Sequence, residues 1–362
     1  MREFKKTIFH TALLLSVCLL SACGENDYRT LKGWKNIGQT DTLGLESIAV
    51  KIDTLRLITD SLYDITVFGI TEDRIFGLTA DNVIVIMTSD GQVISSSRRT
   101  GRGPGEFANL GGCVYDPYSD EILLLDHWNK VIRLDADGNF KDEIKNDITP
   151  TIGDIMPLSK DSYAATGMSN VSREFCITVL DRNLNPTDRM MPLLNDAQRS
   201  TRGIIALEGM REFNSMVMYK PFGEYTYYTV TDSACAPYLE MDFGRYTMPA
   251  ELYVTVEESS GTNNNFQVDA DFICGKYYMV QYLYMKQMCW YYDIYDISSG
   301  RRVSHYRYGI EEHESGVEEG FILRFNGQKY GIFPQYIKDN ALYWSRFNED
   351  GSTTLFRIQL QS

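Results

Sequence analysis

The chain has 362 residues, of which 43% are hydrophobic and 12% aromatic, and it carries a formal net charge of −14. An acidic surface of this kind is repelled by phosphate backbones and anionic head groups, so nucleic acid is set aside as a partner and the excess charge is read as an aid to solubility. The length exceeds that of one ordinary core, but repeat architectures reach it as a single domain.

Residues 1–22 read as a processing segment rather than as fold. Arg2, Lys5 and Lys6 form a basic start, and Ile8–Leu20 is a mostly apolar run too short to cross a bilayer comfortably. The tetrapeptide Leu20-Ser21-Ala22-Cys23 resembles the lipobox of bacterial lipoproteins. That resemblance implies cleavage before Cys23 and acylation of its thiol and new amino group. The competing reading is an ordinary secretory signal with a chance cysteine; the small residues between the apolar run and Cys23 favour the lipobox. Several acyl chains on one residue anchor stably where one is marginal, so the only membrane contact expected is the lipid. Gly24-Glu25-Asn26-Asp27 loosely resembles the acidic export signals of Bacteroidetes surface lipoproteins. Residues 23–45 are polar and read as a tether, with the folded domain at 46–362.

Beyond residue 46 strand signals dominate and helix signals are nearly absent. Val83–Thr88, Glu121–Asp126, Lys130–Asp135, Cys176–Asp181, Thr226–Thr231 and Trp290–Tyr295 are short, β-branched or aromatic, and bounded by turn residues. Several are apolar at successive positions, which suits strands buried on both faces. Turns recur after every third strand: Asp90-Gly91, then Asp137-Gly138 about 47 residues on, then Asn183–Asn185, Asp232-Ser233 and Ser299-Gly300. The last interval is stretched by the polar run Glu257–Asn265, read as an insertion.

This period predicts an all-β, six-bladed propeller with units at about 64–99, 107–146, 150–194, 203–245, 265–309 and 327–362. The fourth unit takes its first strand from Gly203–Gly209. The sixth supplies only three strands, Ile332–Ile337, Ala341–Phe347 and Thr353–Leu360. Ile48–Leu57 precedes the first unit without a partner there, so it is expected to return as the outer strand of the last blade and close the ring.

The stretch Arg99–Ile144 describes one whole blade. It has a Gly-rich loop ending in Gly105-Glu106-Phe107, then Asp116, a strand into Asp126, Asn129, and a strand before Asp135-Ala136-Asp137-Gly138. These features resemble an NHL repeat. Together with the lipobox they make the chain similar to the six-bladed β-propeller lipoproteins of Bacteroidetes. The resemblance implies the fold and a cell-envelope location, with the lipid holding the protein to the outer membrane on its periplasmic or its surface side; it says little about function, because propellers host binders and enzymes alike.

Five cysteines lie beyond Cys18 and Cys23, namely Cys113, Cys176, Cys235, Cys274 and Cys289. The number is odd and there is no CxxC pair, so buried free thiols are expected rather than a disulfide scaffold or zinc cluster.

In a propeller the loops joining second to third strands, with those joining blades, rim one mouth of the channel, where ligands bind. Six residues on that face are candidate ligand contacts: Arg98, Arg102, His127, Trp128, Arg173 and Arg211. The arginines would fork onto carboxylates or sulfates, and Trp128 would stack on a sugar. The structural alternative is that Arg98 and Arg102 brace the Gly-rich loop through backbone carbonyls. That loop is not followed by a helix pattern or Gly-Lys-Ser/Thr, so it reads as a tight crossing rather than a phosphate cradle. No GxSxG elbow occurs, and no Ser-His-Asp set can be assembled. His305 falls on an outer strand, and His313 sits in a Glu-rich loop read as solvated. The aromatic run Tyr277–Tyr284, continued by Trp290-Tyr291-Tyr292, reads as blade core.

The leading expectation is a non-catalytic envelope propeller that binds a small anionic or carbohydrate ligand, or an envelope protein, at the channel mouth, with no cofactor. A lactone hydrolase or lyase with a divalent cation in the channel is the second reading, and an accessory subunit of an outer-membrane nutrient-uptake system is the third.

Overall fold

The short strands and their Asp, Asn and Gly turns fold as antiparallel four-stranded sheets arranged around an axis. The computed structural model describes residues 28–33, 43–58, 64–126, 130–145, 152–167, 175–192, 209–213, 215–221, 223–249, 264–309 and 319–362. Two strands lead the chain, β1 (Arg29–Lys32) and β2 (Ala49–Leu57). Blade 1 is β3 (Ile65–Ile70), β4 (Arg74–Thr79), β5 (Val83–Thr88) and β6 (Val93–Arg98). Blade 2 is β7 (Leu110–Asp116), β8 (Glu121–Asp126), β9 (Lys130–Asp135) and β10 (Phe140–Lys145). Blade 3 is β11 (Ile152–Pro157), β12 (Ser162–Gly167), β13 (Phe175–Asp181) and β14 (Pro186–Pro192). Blade 4 is β15 (Met210–Phe213), β16 (Met216–Tyr219), β17 (Thr226–Val230) and β18 (Cys235–Asp242). Blade 5 is β19 (Phe266–Cys274), β20 (Tyr277–Tyr284), β21 (Cys289–Asp296) and β22 (Arg301–Tyr308). A separate hairpin, β23 (Phe321–Phe325) and β24 (Gln328–Ile332), precedes blade 6, which is β25 (Tyr336–Lys338), β26 (Ala341–Phe347) and β27 (Thr353–Leu360).

The ring closes as expected. β2 pairs antiparallel with β27 from Ala49↔Leu360 to Leu57↔Thr353, so the N-terminal strand is the outer strand of the last blade. Two strand positions differ from expectation. The first strand of blade 4 is Met210–Phe213, not Gly203–Gly209, of which residues 203–208 lie outside the described residues. The first strand of blade 6 is Tyr336–Lys338, because Ile332 ends a hairpin with β23 and Pro334, which lacks an N–H, separates the two. The span read as tether also holds a strand. β1 pairs in parallel with β18 and gives blade 4 a fifth strand.

Turn chemistry repeats with the blades. Asp135 accepts the backbone N–H groups of Asp137 and Asn139, and Asn139 Nδ2 donates back to it at 3.0 Å. Asp181 does the same with Asn183 and Asn185. Local side-chain bonds of this sort satisfy turn donors that no strand can reach. The crossing from blade 1 to blade 2 is pinned by Phe107, which is fully buried, and by Asp126, which accepts the N–H groups of Ala108 and Asn109.

The core is a set of blade-to-blade interfaces. Phe76, Ile84 and Ile86 of blade 1 meet Ile122, Leu124 and Ile132 of blade 2, while Leu123 and Leu125 on the opposite face of the same strand meet Ile155 and Tyr163 of blade 3. β8 is buried at every position for this reason, which explains its unbroken apolar run. The aromatic run of blade 5 is core as expected: Tyr277, Tyr278, Tyr282, Tyr284, Tyr291 and Tyr292 are all buried. Two of their hydroxyls reach buried acids, Tyr278 donating to Asp271 at 2.9 Å and Tyr282 to Asp293 at 2.9 Å.

Candidate binding site in the central channel

The inner strand of every blade borders one cavity of about 460 Å³ on the axis. Phe68 of blade 1, Cys113 of blade 2, Asp154 of blade 3, Arg211 and Glu212 of blade 4, Phe272 of blade 5 and Gln335 beside blade 6 all line it. A site of this size is within the range of small-molecule pockets, about 300–1,000 Å³. A second cavity of about 530 Å³ lies off the axis between blades 1 and 6, over Leu55, Ile70, Tyr343 and Leu355.

Arg211 is the cation of the channel lining. Its guanidinium stands 5.3 Å from the ring centroid of Phe272, and it makes no hydrogen bond or ion pair with a described residue. The ring orients the fork without consuming its donors. Opposite charge is supplied by Asp154. Its carboxylate accepts the N–H of Ile155 at 2.8 Å and of Met210 at 2.9 Å. Burial pushes that carboxyl up to about 6, against the pull of those two N–H bonds and of Arg211. Burial also raises Glu212, partly offset by Lys338. The Cys113 thiol is pushed up to about 12 by burial and is inert at neutral pH. Tyr336 is likewise raised by burial and by Glu212.

Behind Phe272 lies a buried ion pair. Lys220 Nζ donates to Asp271 at 2.6 Å, and Tyr227 and Tyr278 donate to the same carboxylate. Burial raises Asp271, but Lys220, the Tyr227 hydroxyl and Arg211 together outweigh it and hold the carboxyl below its ordinary range. Arg211 adds to the same field, so the charges of blades 4 and 5 are organised around one acid.

The channel thus brings together one of the six expected contacts. Arg211 lines it. Arg98 ends the outer strand of blade 1, exposed, and pairs with Asp81 at 3.2 Å. Arg102 is exposed in the Gly-rich loop and does not border the cavity. His127, Trp128 and Arg173 lie outside the described residues. The bracing expected of Arg98 and Arg102 falls instead to Arg99, which donates to the Gly138 carbonyl at 2.6 Å, and to Glu106 and Glu143, which accept the N–H groups of Gly103 and Gly105. His305 is on the outer strand of blade 5 as expected, buried and bonded to Asp293. Cys113, Cys235, Cys274 and Cys289 are free thiols. Among the described residues no three His, Cys, Asp or Glu side chains gather as a metal would need.

Asp154, Glu212, Phe272 and Gln335 were not among the expected contacts. The available signal was their position: each lies on or beside an inner strand, Asp154 is a lone acid in the run Ile152–Pro157, and Glu212 follows Arg211 in Met210–Phe213. Loop composition drew attention to the rim, while inner strands carry the wall.

A family model described as Domain of unknown function (DUF4934) matches residues 35–353. The chain belongs to that family. No curated protein matches it. Among solved structures it is similar to a Bacteroides fragilis protein assigned as exported, with 16% identity and a TM-score of 0.66, over 92% of this chain and 100% of the other. It is also similar to a member of the duf4221 family from Bacteroides vulgatus, with 10% identity and a TM-score of 0.52, over 87% of this chain and 98% of the other. At these identities the likeness is one of fold.

Proposed function

We propose that this protein is a lipid-anchored propeller of the bacterial envelope, acylated at Cys23, that binds an acidic sugar in its central channel and leaves it chemically unchanged. Arg211 carries the reading. A guanidinium fixed over an aromatic ring, with its donors open to the cavity, is suited to a carboxylate in fork-to-fork geometry. Gln335, Glu212 and Asp154 supply donors and acceptors for hydroxyl groups around it, and Phe68 supplies an apolar wall. The description of a similar-fold Bacteroides fragilis protein as exported and the lipobox-like Leu20–Cys23 support the envelope location.

The test is a thermal-shift series with glucuronate, galacturonate and neutral galactose on the protein and on Arg211→Ala. A ligand at about 100 times its Kd stabilises the native state by about 2.7 kcal/mol, which raises Tm by a few degrees. The uronates are expected to give that rise, galactose to give a smaller one, and Arg211→Ala to abolish the difference. Equal Tm values with and without every sugar would refute the proposal.

A further inference from the structure

The strand β1 is held firmly to the propeller. Its register runs from Arg29↔Leu239 to Lys32↔Asp242. Leu31 is fully buried in the core shared by blades 4 and 5. Lys32 pairs with Asp242 at 2.6 Å, Thr30 donates to Glu240 at 3.0 Å, and the Gly33 N–H donates to the Asp242 carbonyl at 2.8 Å. Gly33 fits only because it lacks a side chain; a Cβ there would stand 2.7 Å from the Phe243 ring and 2.8 Å from the Met241 sulfur. A chain that merely drifted past blade 4 would not need this fit.

The pairing shortens the link to the anchor. Five residues, 24–28, separate Cys23 from Arg29. Extended chain spans about 3.3–3.6 Å per residue, so that link reaches about 20 Å, whereas a free tether running to residue 45 would reach about 75 Å. A domain of this size has a radius of gyration of about 20 Å. A link no longer than that radius does not let the propeller turn its far side to the surface that holds it.

We infer that the outer edge of blade 4 is the side the propeller turns to the lipid bilayer, held there by the β1–β18 pairing; this rests on the lipid anchor proposed above. Because β1 is parallel to β18 and opens at Arg29 opposite Leu239, the link leaves beside the middle of β18, on the Tyr238 side. Tyr28, Tyr228 and Tyr238 are half-buried there, Ala236 and Pro237 are exposed, and Arg29, which opens β1, is exposed. Tyrosine and arginine are at home at the head-group level, where an apolar body and a polar tip are both satisfied. Blade 1 stands across the six-bladed ring from blade 4, so its outer strand faces away.

The experiment uses the acylated full-length protein in phosphatidylcholine vesicles carrying a head-group spin-label quencher, in a Cys235→Ser background. A fluorophore is placed on blade 4 through Ala236→Cys or on blade 1 through Ile94→Cys, both exposed positions. Quenching is expected to be at least threefold stronger at position 236. Adding Gly33→Leu, which expels β1 and lengthens the link, is expected to bring the two positions together. Equal quenching at both positions in an acylated protein would overturn the orientation and leave the anchor intact. Intact-mass analysis lacking acyl chains at Cys23 would overturn the anchor, and the orientation with it.

Discussion

The Asp154 carboxylate on β11 accepts the Met210 N–H that opens β15, at 2.9 Å, so one half-buried acid joins the inner strands of blades 3 and 4 across the channel wall. The same acid faces Arg211, and its proton therefore matters both to stability and to binding.

For stability, burial lifts the Asp154 carboxyl from 3.8 to about 6. Between those values the folded chain holds a proton that the unfolded chain has released, so the contribution of this group falls as pH rises through that window. The loss amounts to up to about 3 kcal/mol and is complete above the folded value. Urea melts from pH 4 to 7 on the protein and on Asp154→Asn should show a stability difference that shifts in favour of the variant as pH rises. A difference that is flat across that range would contradict the assignment.

For binding, the ionised Asp154 repels an anion held by Arg211, and the protonated acid does not. Uronate affinity measured by calorimetry should therefore rise severalfold from pH 7.5 to 5.5, where the sugar carboxylate is still charged. In Asp154→Asn the affinity should stay level over the same interval.

The Asp271 cluster makes a prediction of opposite sign. Lys220, with Tyr227 and Arg211, holds this carboxyl below its ordinary range against burial, so the stability it contributes is present above the unfolded pKa and is lost only as pH falls through the lower folded value. Lys220→Met leaves the acid buried with two tyrosine donors and should cost about 3 kcal/mol at pH 7. Adding Asp271→Asn should restore part of that loss, a non-additivity readable in a double-mutant cycle.

Ring closure can be tested on one strand. Leu57 on β2 is 1% exposed and packs in the cluster shared by blades 6 and 1, whereas Val50 on the same strand is 63% exposed. Leu57→Ala should lower stability by about 2–5 kcal/mol. Val50→Ala should change it by no more than about 0.5 kcal/mol. Comparable losses at both would mean that β2 does not close the ring through this interface.

Blade count, strand order and the returning N-terminal strand could be read from the chain because they depend on local chemistry that repeats. Asp-Gly and Asp-x-x-x-Asn turns close hairpins wherever they occur, and runs such as Glu121–Asp126 have only one use, burial on both faces. The same local logic misplaced the first strand of blade 6, reading it at Ile332–Ile337, whereas Ile332 closes a hairpin with Phe321 and the strand is Tyr336–Lys338. It also read Arg29–Lys32 as tether, because four residues show no periodicity until β18 offers them an edge.

By itself, then, the sequence determined the repeat, the closure and the acidic, strand-rich character of this protein, all of which follow from turn residues and apolar runs acting over a few neighbours. Only the tertiary structure decided that Arg211, Asp154 and Phe272 share one cavity while Arg98 and Arg102 stand outside it. The reason is geometric: a blade is built by neighbours in sequence, but the channel wall takes one strand from each of six blades, and which side chains meet there depends on how the sheets twist and close around the axis.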